Sequence, residues 1–202
     1  MNHEIKNVIS GLKQVAKSDS ILSALSFLRT SKNANSNVEE SEYINKENEA
    51  KLLINHFLAP ESELNLDSYL TEGAEQQVYL HNDGKFVLKT NDAIFYTSWE
   101  DYLISLLLHN HFFPATSYEL LGFLKKGENI FALVKQPFVY IDDVTNLDEV
   151  FQIMNDNGFS ITKNNDYYSF DLQVIIEDLH DENVVVSKGV LFFIDTVIYI
   201  KK

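Results

Sequence analysis

Three oxygen-bearing side chains near the end of the chain, Asp178, Asn183 and Asp195, are spaced so that local structure alone can converge them. Residues 184–186 and 190–194 are apolar runs separated by Ser187-Lys188-Gly189. That pattern predicts a hairpin. Asn183 precedes the first run and Asp195 follows the second, so pairing the runs brings the two side chains together. Asp178, five positions before Asn183, lies on the entering loop. An Asp, an Asn and a second Asp supply oxygen ligands, which suits a hard cation, Mg²⁺ above all. The competing reading is an acidic loop between two core strands, because D-x-x-x-x-N is a common spacing.

Other chemistry-bearing residues lie upstream. Lys89 ends the apolar run Phe86-Val87-Leu88; facing solvent at a strand end is the commoner fate of a lysine. Glu100 shares a helix face with Leu103 and Leu107. A carboxylate on a buried face needs a partner, although first-turn placement also favours an acid through the helix dipole. Asp101 is the neighbouring alternative and points away from that stripe. His109-Asn110-His111 has an H-x-H look but lacks further ligands nearby, and it reads as the end of a helix.

The elements that must position these residues follow from periodicity and turn residues. Ile5, Val8, Ile9, Leu12, Val15 and Ala16 fall at helical spacing, Ser18-Asp19-Ser20 breaks the pattern, and Ile21, Leu22, Leu25 and Leu28 resume it. Residues 1–30 therefore read as an amphipathic helical hairpin covering the main domain, with docking of a protein partner as the alternative. Residues 31–45 are polar and aperiodic and read as a linker. The main domain spans 46–202 and opens with a helix ended by Pro60. Strands are expected over 69–80 and 86–89 around Asn82-Asp83-Gly84, then a helix from Ser98, then a hairpin around Lys126-Gly127. A short helix follows over 147–154, and Asn164-Asn165-Asp166 marks a turn before Tyr167-Tyr168.

Composition narrows the class. With 45% hydrophobic residues the chain can bury a core, and without cysteine it has neither disulfides nor a cysteine zinc site. A net charge of −14 repels phosphate backbones and argues against nucleic acid as partner. No apolar run reaches membrane-spanning length and no signal peptide opens the chain, so a cytoplasmic location is expected.

The order of these features resembles the protein kinase-like fold, whose loop reads H-R-D-x-x-x-x-N and whose metal Asp follows on the next hairpin. The segments Trp99-Glu100-Asp101-Tyr102-Leu103, Val134-Lys135-Gln136-Pro137-Phe138 and Glu177-Asp178-Leu179-His180-Asp181-Glu182-Asn183-Val184 look most like the small kinase-like domains of polyvalent proteins from bacterial phages and conjugative elements. Ile176 stands where kinases carry the loop His, and Thr196-Val197 replaces Phe-Gly of D-F-G. The resemblance implies an α+β fold with an antiparallel five-stranded N-lobe sheet, one crossing helix, a reduced C-lobe and an N-terminal helical extension.

It also implies roles. Gly73 and Val78 would belong to the glycine-rich loop, Gln136 to the adenine-binding hinge, and Lys89 would hold the ATP phosphates with Glu100 orienting it. Asn183 and Asp195 would hold Mg²⁺. Asp178 would take the proton from a hydroxyl acceptor, on a protein or a small molecule. The alternative is a pseudokinase, a nucleotide-binding or interaction module without catalysis.

Overall fold

Strand-forming runs and glycine-bearing turns alternate from Tyr69 onward, and helices enter where the apolar period changes from two to 3.6. The computed structural model describes residues 1–35, 46–60, 68–73 and 76–201. Among these, five α-helices occur: α1 His3–Ile9, α2 Asp19–Asn35, α3 Lys46–His56, α4 Trp99–Phe112 and α5 Leu147–Asp156. The strands are β1 Tyr69–Glu72, β2 Gln76–Leu80, β3 Phe86–Asn91, β4 Glu119–Lys126, β5 Asn129–Pro137, β6 Ser160–Ile161, β7 Tyr167–Ser169, β8 Val174–Glu177, β9 Val184–Ser187, β10 Val190–Phe193 and β11 Val197–Ile200. The fold is mixed α+β with antiparallel sheets. The chain forms two compact units, one of Lys17–Leu103 with Tyr118–Phe138, the other of Met1–Ala16, Ile104–Ser117 and Val139–Lys202.

The first unit is built on a five-stranded antiparallel sheet in the order β1-β2-β3-β5-β4. β3 is central and reads as buried from Val87 to Asn91, as expected for a strand covered on both faces. Tyr79, Leu88 and Leu133 pack on one face with Ala59. Asn82-Asp83-Gly84 makes the expected turn, with Gly84 at φ +66° and its N–H donating to the His81 carbonyl at 2.9 Å. The apolar stripe of α2, Ile21, Ala24, Leu25 and Leu28, is buried, and α2 packs on α3 and β4. The helix runs on to Asn35, so the first residues expected as linker are helical; 36–45 lie outside the described residues.

At Gly122 the β4 register shifts, and the segment after α3 lies against the strand: Phe123 N–H donates to the Phe57 carbonyl at 2.7 Å and Ala59 N–H to the Phe123 carbonyl at 2.8 Å. Only glycine fits there. Its φ is +140°, and a Cβ would lie 2.5 Å from the Phe57 oxygen.

The second unit carries a four-stranded antiparallel sheet, β11-β8-β7-β6, and the two-stranded hairpin β10-β9. Lys188 and Gly189, at φ +52° and +71°, turn the hairpin at the predicted place. The helix expected over 5–16 ends early, at Ile9. Gly11, at φ +75°, donates its N–H to the Val8 carbonyl at 3.1 Å and stops it, a glycine signal the apolar period conceals.

Candidate active-site residues

In the first unit Lys89 is not a solvated strand-end lysine. It lies on the central strand, is 4% exposed, and its Nζ is 5.5 Å from the centre of the Tyr118 ring. Ladder register pairs Val78 with Lys89 and Lys89 with Val134, and pairs Leu80 with Val87 and Val87 with Gln136. Opposed residues share a face, so Val78, Lys89 and Gln136 lie on one face of the sheet, opposite the one where Tyr79 and Leu88 pack. Gln136 is buried. Gly73 donates its N–H to the Gln76 carbonyl at 2.8 Å, and the space where its Cβ would sit is open. The neighbouring Ala74 and Glu75 lie outside the described residues. A cleft of about 360 Å³ at this turn is lined by Glu72, Gly73, Gln76, Gln77, Asp92, Lys126 and Phe131, without Lys89.

Glu100 has other partners than the expected Lys89. Arg29 Nε donates to its Oε1 at 2.9 Å and Lys32 Nζ to its Oε2 at 2.7 Å. Burial opposes the charge, yet these two hydrogen bonds hold the Glu100 carboxyl below its ordinary pKa. Lys32 also lies 2.7 Å from Oε1 of the buried Glu49, whose Oε2 accepts the Trp99 N–H at 2.7 Å. Glu49 thereby satisfies the first N–H of α4 and sits at the positive end of its dipole. Ser98 caps the same helix, accepting from Asp101 N–H at 3.0 Å and donating to Asp101 Oδ2 at 2.9 Å. Asp101 is thus the capping acid and Glu100 the one drawn toward α2.

In the second unit the hairpin forms, and hydrogen bonds tie its open end to the loop before it. Ile194 N–H donates to the Asn183 carbonyl at 2.9 Å, and Asn183 Nδ2 donates to the Asp178 carbonyl at 3.0 Å. β8 pairs with β11 in the register Glu177–Val197, so the chain leaves β8 at Asp178 alongside its entry into β11 after Asp195. Asp178 is exposed and adopts φ +64°, a conformation Asp tolerates better than most residues. Its N–H donates to Asp166 Oδ1 at 3.2 Å, and buried Leu179 anchors the next position, its N–H on the Asn165 carbonyl at 3.3 Å. Burial, then the charges of Asp166 and Asp178, raise the pKa of Glu177.

The donor set suits a hard cation on one specific ground. Asn183 Nδ2 faces the Asp178 carbonyl, an obligate acceptor, and lies 3.2 Å from His180 Nε2, which leaves Oδ1 as the acceptor atom of that amide. An amide oxygen and the Asp195 carboxylate, borne on neighbouring strand ends, are oxygen donors of the kind Mg²⁺ takes. Among the described residues no group of three or more His, Asp or Glu side chains is set to hold a metal ion.

One protein-family model, described as a serine/threonine/tyrosine kinase found in polyvalent proteins, matches residues 45–202. The chain belongs to that kinase family. No curated protein and no solved structure matches it. Among the described residues no helix is long and apolar enough to cross a membrane. Three features of this kinase-family chain escape sequence reading. Arg29 and Lys32 sit one turn apart on α2, a spacing that could have flagged a shared anion. Glu49 reads as an ordinary first-turn acid. His109, taken only as helix end, is 1% exposed and fully engaged; nothing in its sequence neighbourhood shows this.

Proposed function

We propose that this chain transfers the γ-phosphoryl group of ATP to a hydroxyl acceptor, on a protein or a small molecule, with Mg²⁺ as cofactor. The observation that carries the reading is the loop geometry: Asn183 holds the Asp178 carbonyl through its amide while its own carbonyl receives Ile194 N–H, next to Asp195. Family membership supports the same reaction class. Bound Mg²⁺ would neutralise charge on the β- and γ-phosphates. Asn183 and Asp195 are assigned to hold it. Asp178, exposed and fixed through its backbone, is assigned as the base for the acceptor hydroxyl. Lys89, kept on the Val78 and Gln136 face, is assigned to the phosphates, and the open space at Gly73 leaves room for backbone approach to a ligand. Glu100 would orient Lys89 only after exchanging Arg29 and Lys32 for it. On this reading the kinase-like domain spans 46–202, preceded by an N-terminal extension, and the protein acts in the cytoplasm.

A second reading, a pseudokinase that binds nucleotide or a protein without catalysis, draws support from the ion pairs that occupy Glu100 and from Thr196-Val197 following Asp195.

The test separates base from metal ligand. Asp178→Asn is expected to lower phosphoryl transfer by about 10²–10⁴-fold with Mg-ATP affinity nearly unchanged. Asp195→Asn is expected to weaken Mg-ATP binding itself. Titration with Mg-ATP beside a transfer assay with radiolabelled ATP measures both. Binding without transfer by wild type selects the pseudokinase reading, and no binding removes both.

A further inference from the structure

Asp195 sits between strands: β10 ends at Phe193 and β11 begins at Val197. A cation ligand on such a bridge needs its backbone held, or its carboxylate wanders. Ile176, at the position of the family's loop His, is apolar and fully buried, and it offers the bridge no hydrogen bond. Beside the Ile194 N–H bond to the Asn183 carbonyl, polar support comes from elsewhere in the same unit. Thr116 Oγ1 donates to the Phe193 carbonyl at 2.5 Å, on one side of Asp195. On the other side the Thr196 hydroxyl lies 2.8 Å from His109 Nδ1. His109 Nε2 lies 3.1 Å from the Thr116 carbonyl, closing the circuit. His109, Thr116 and Thr196 are 1%, 1% and 6% exposed.

The chemistry orders these bonds. A carbonyl only accepts, so Nε2 carries the imidazole proton. Nδ1 is then an acceptor, and the Thr196 hydroxyl must donate to it. Thr116, whose carbonyl is held by the same imidazole, has one hydroxyl proton, and the Phe193 carbonyl at 2.5 Å is a closer acceptor for it than the Phe113 carbonyl at 3.2 Å. Apolar packing is present too, since the Phe113 and Phe193 rings stack at 4.2 Å, but packing alone does not direct the Phe193 carbonyl and the Thr196 side chain, the groups that flank the 194–195 segment. Two directed hydrogen bonds do.

We propose that His109 is a positioning residue for Asp195: with Thr116 and Thr196 it forms a buried polar clamp that fixes the 193–196 bridge and aims its carboxylate. The link to Mg²⁺ rests on the functional reading above; the clamp itself does not.

Thr196→Val removes the hydroxyl at nearly constant shape, and Thr196→Ser restores it. In hydrogen exchange followed by NMR, Thr196→Val is expected to speed exchange of the Asp195 and Thr196 amides by about tenfold or more relative to β6 and β7, with recovery in Thr196→Ser. In titrations of Mg²⁺ at saturating ATP analogue, affinity for the ion is expected to fall about 10–100-fold in Thr196→Val, as for loss of groups that orient a metal ligand, while affinity for metal-free nucleotide stays put. Should Thr196→Val not fold, the ¹⁵N shifts of His109 in wild type decide: the clamp requires the Nε2–H tautomer, and the Nδ1–H form overturns it. Unchanged exchange in a folded Thr196→Val also overturns the clamp, and faster exchange with unchanged Mg²⁺ affinity overturns the positioning role. If the exchange and tautomer results hold but wild type binds no Mg-nucleotide, the clamp stands and the phosphotransfer reading fails.

Discussion

Glu100 illustrates how a single carboxylate can be legible as a site and illegible in its partner. Its helix face and flanking leucines mark it as needing a counter-charge, and it has two, Arg29 and Lys32, on a helix about seventy residues upstream. Lys32 also serves Glu49, which is 1% exposed, so its removal leaves a buried carboxylate without its cation. Breaking a fully buried pair costs about 3–5 kcal/mol. Lys32 is about a third exposed, and solvent screening reduces the figure, so Lys32→Ala should destabilise by about 2 kcal/mol at neutral pH. The sign of the pH dependence follows from Glu100. Its pKa is lowered in the folded protein, so the pairing contributes fully above the ordinary carboxylate value and is lost as pH falls through the lowered one. Urea unfolding should therefore show a smaller gap between wild type and Lys32→Ala in strong acid than at neutral pH. An equal gap at both would remove the ion pairs from the account.

At the level of elements, the first sheet depends on a contact that no strand pattern announces. The turn after α3 reaches β4 because position 122 has no side chain. Gly122→Ala puts a Cβ against the Phe57 carbonyl in a backbone region that L residues avoid. A loss of about 3 kcal/mol or more is expected, combining overpacking with a strained φ. Trp99, the single tryptophan, is buried with its ring 5.3 Å from that of Phe123, so its fluorescence reports the transition directly. Wild-type stability in Gly122→Ala would mean that the turn after α3 contributes little to the sheet. The turns inside hairpins behave differently. Asn82-Asp83-Gly84 and Lys188-Gly189 carry their own conformational instructions, and both stand where residue type places them.

For the molecule as a whole, the charge of −14 is a standing cost to compactness. Lysines and arginines are few, and several are committed to specific pairs, Arg29, Lys32, Lys13 and Lys17 among them. Screening the remaining repulsion should stabilise the fold. Raising NaCl from about 10 to about 200 mM shortens the Debye length from roughly 30 to under 10 Å. A rise in Tm of about 2–4 °C is expected in a thermal scan, corresponding to roughly 1 kcal/mol for a chain of this size. A fall in Tm would indicate that the ion pairs, which salt weakens, outweigh the excess negative charge.

The sequence by itself determined what local rules control. Lys89 on a strand, Glu100 in the first turn of a helix capped by Ser98, and Asn183 and Asp195 at the two ends of one hairpin all follow from residue types within a few positions of each other. So did the family, because its motifs lie in order along the chain. Tertiary structure decided what depends on residues far apart. It buried Lys89 in a central strand, gave Glu100 to α2, placed Gly122 beneath a crossing segment, and joined His109 to the Asp195 bridge 87 positions away. The physical reason is the same in each case. Periodicity and turn chemistry report which face or turn a residue occupies, whereas hydrogen bonds and ion pairs between distant segments depend on which groups packing brings within about 3 Å of one another.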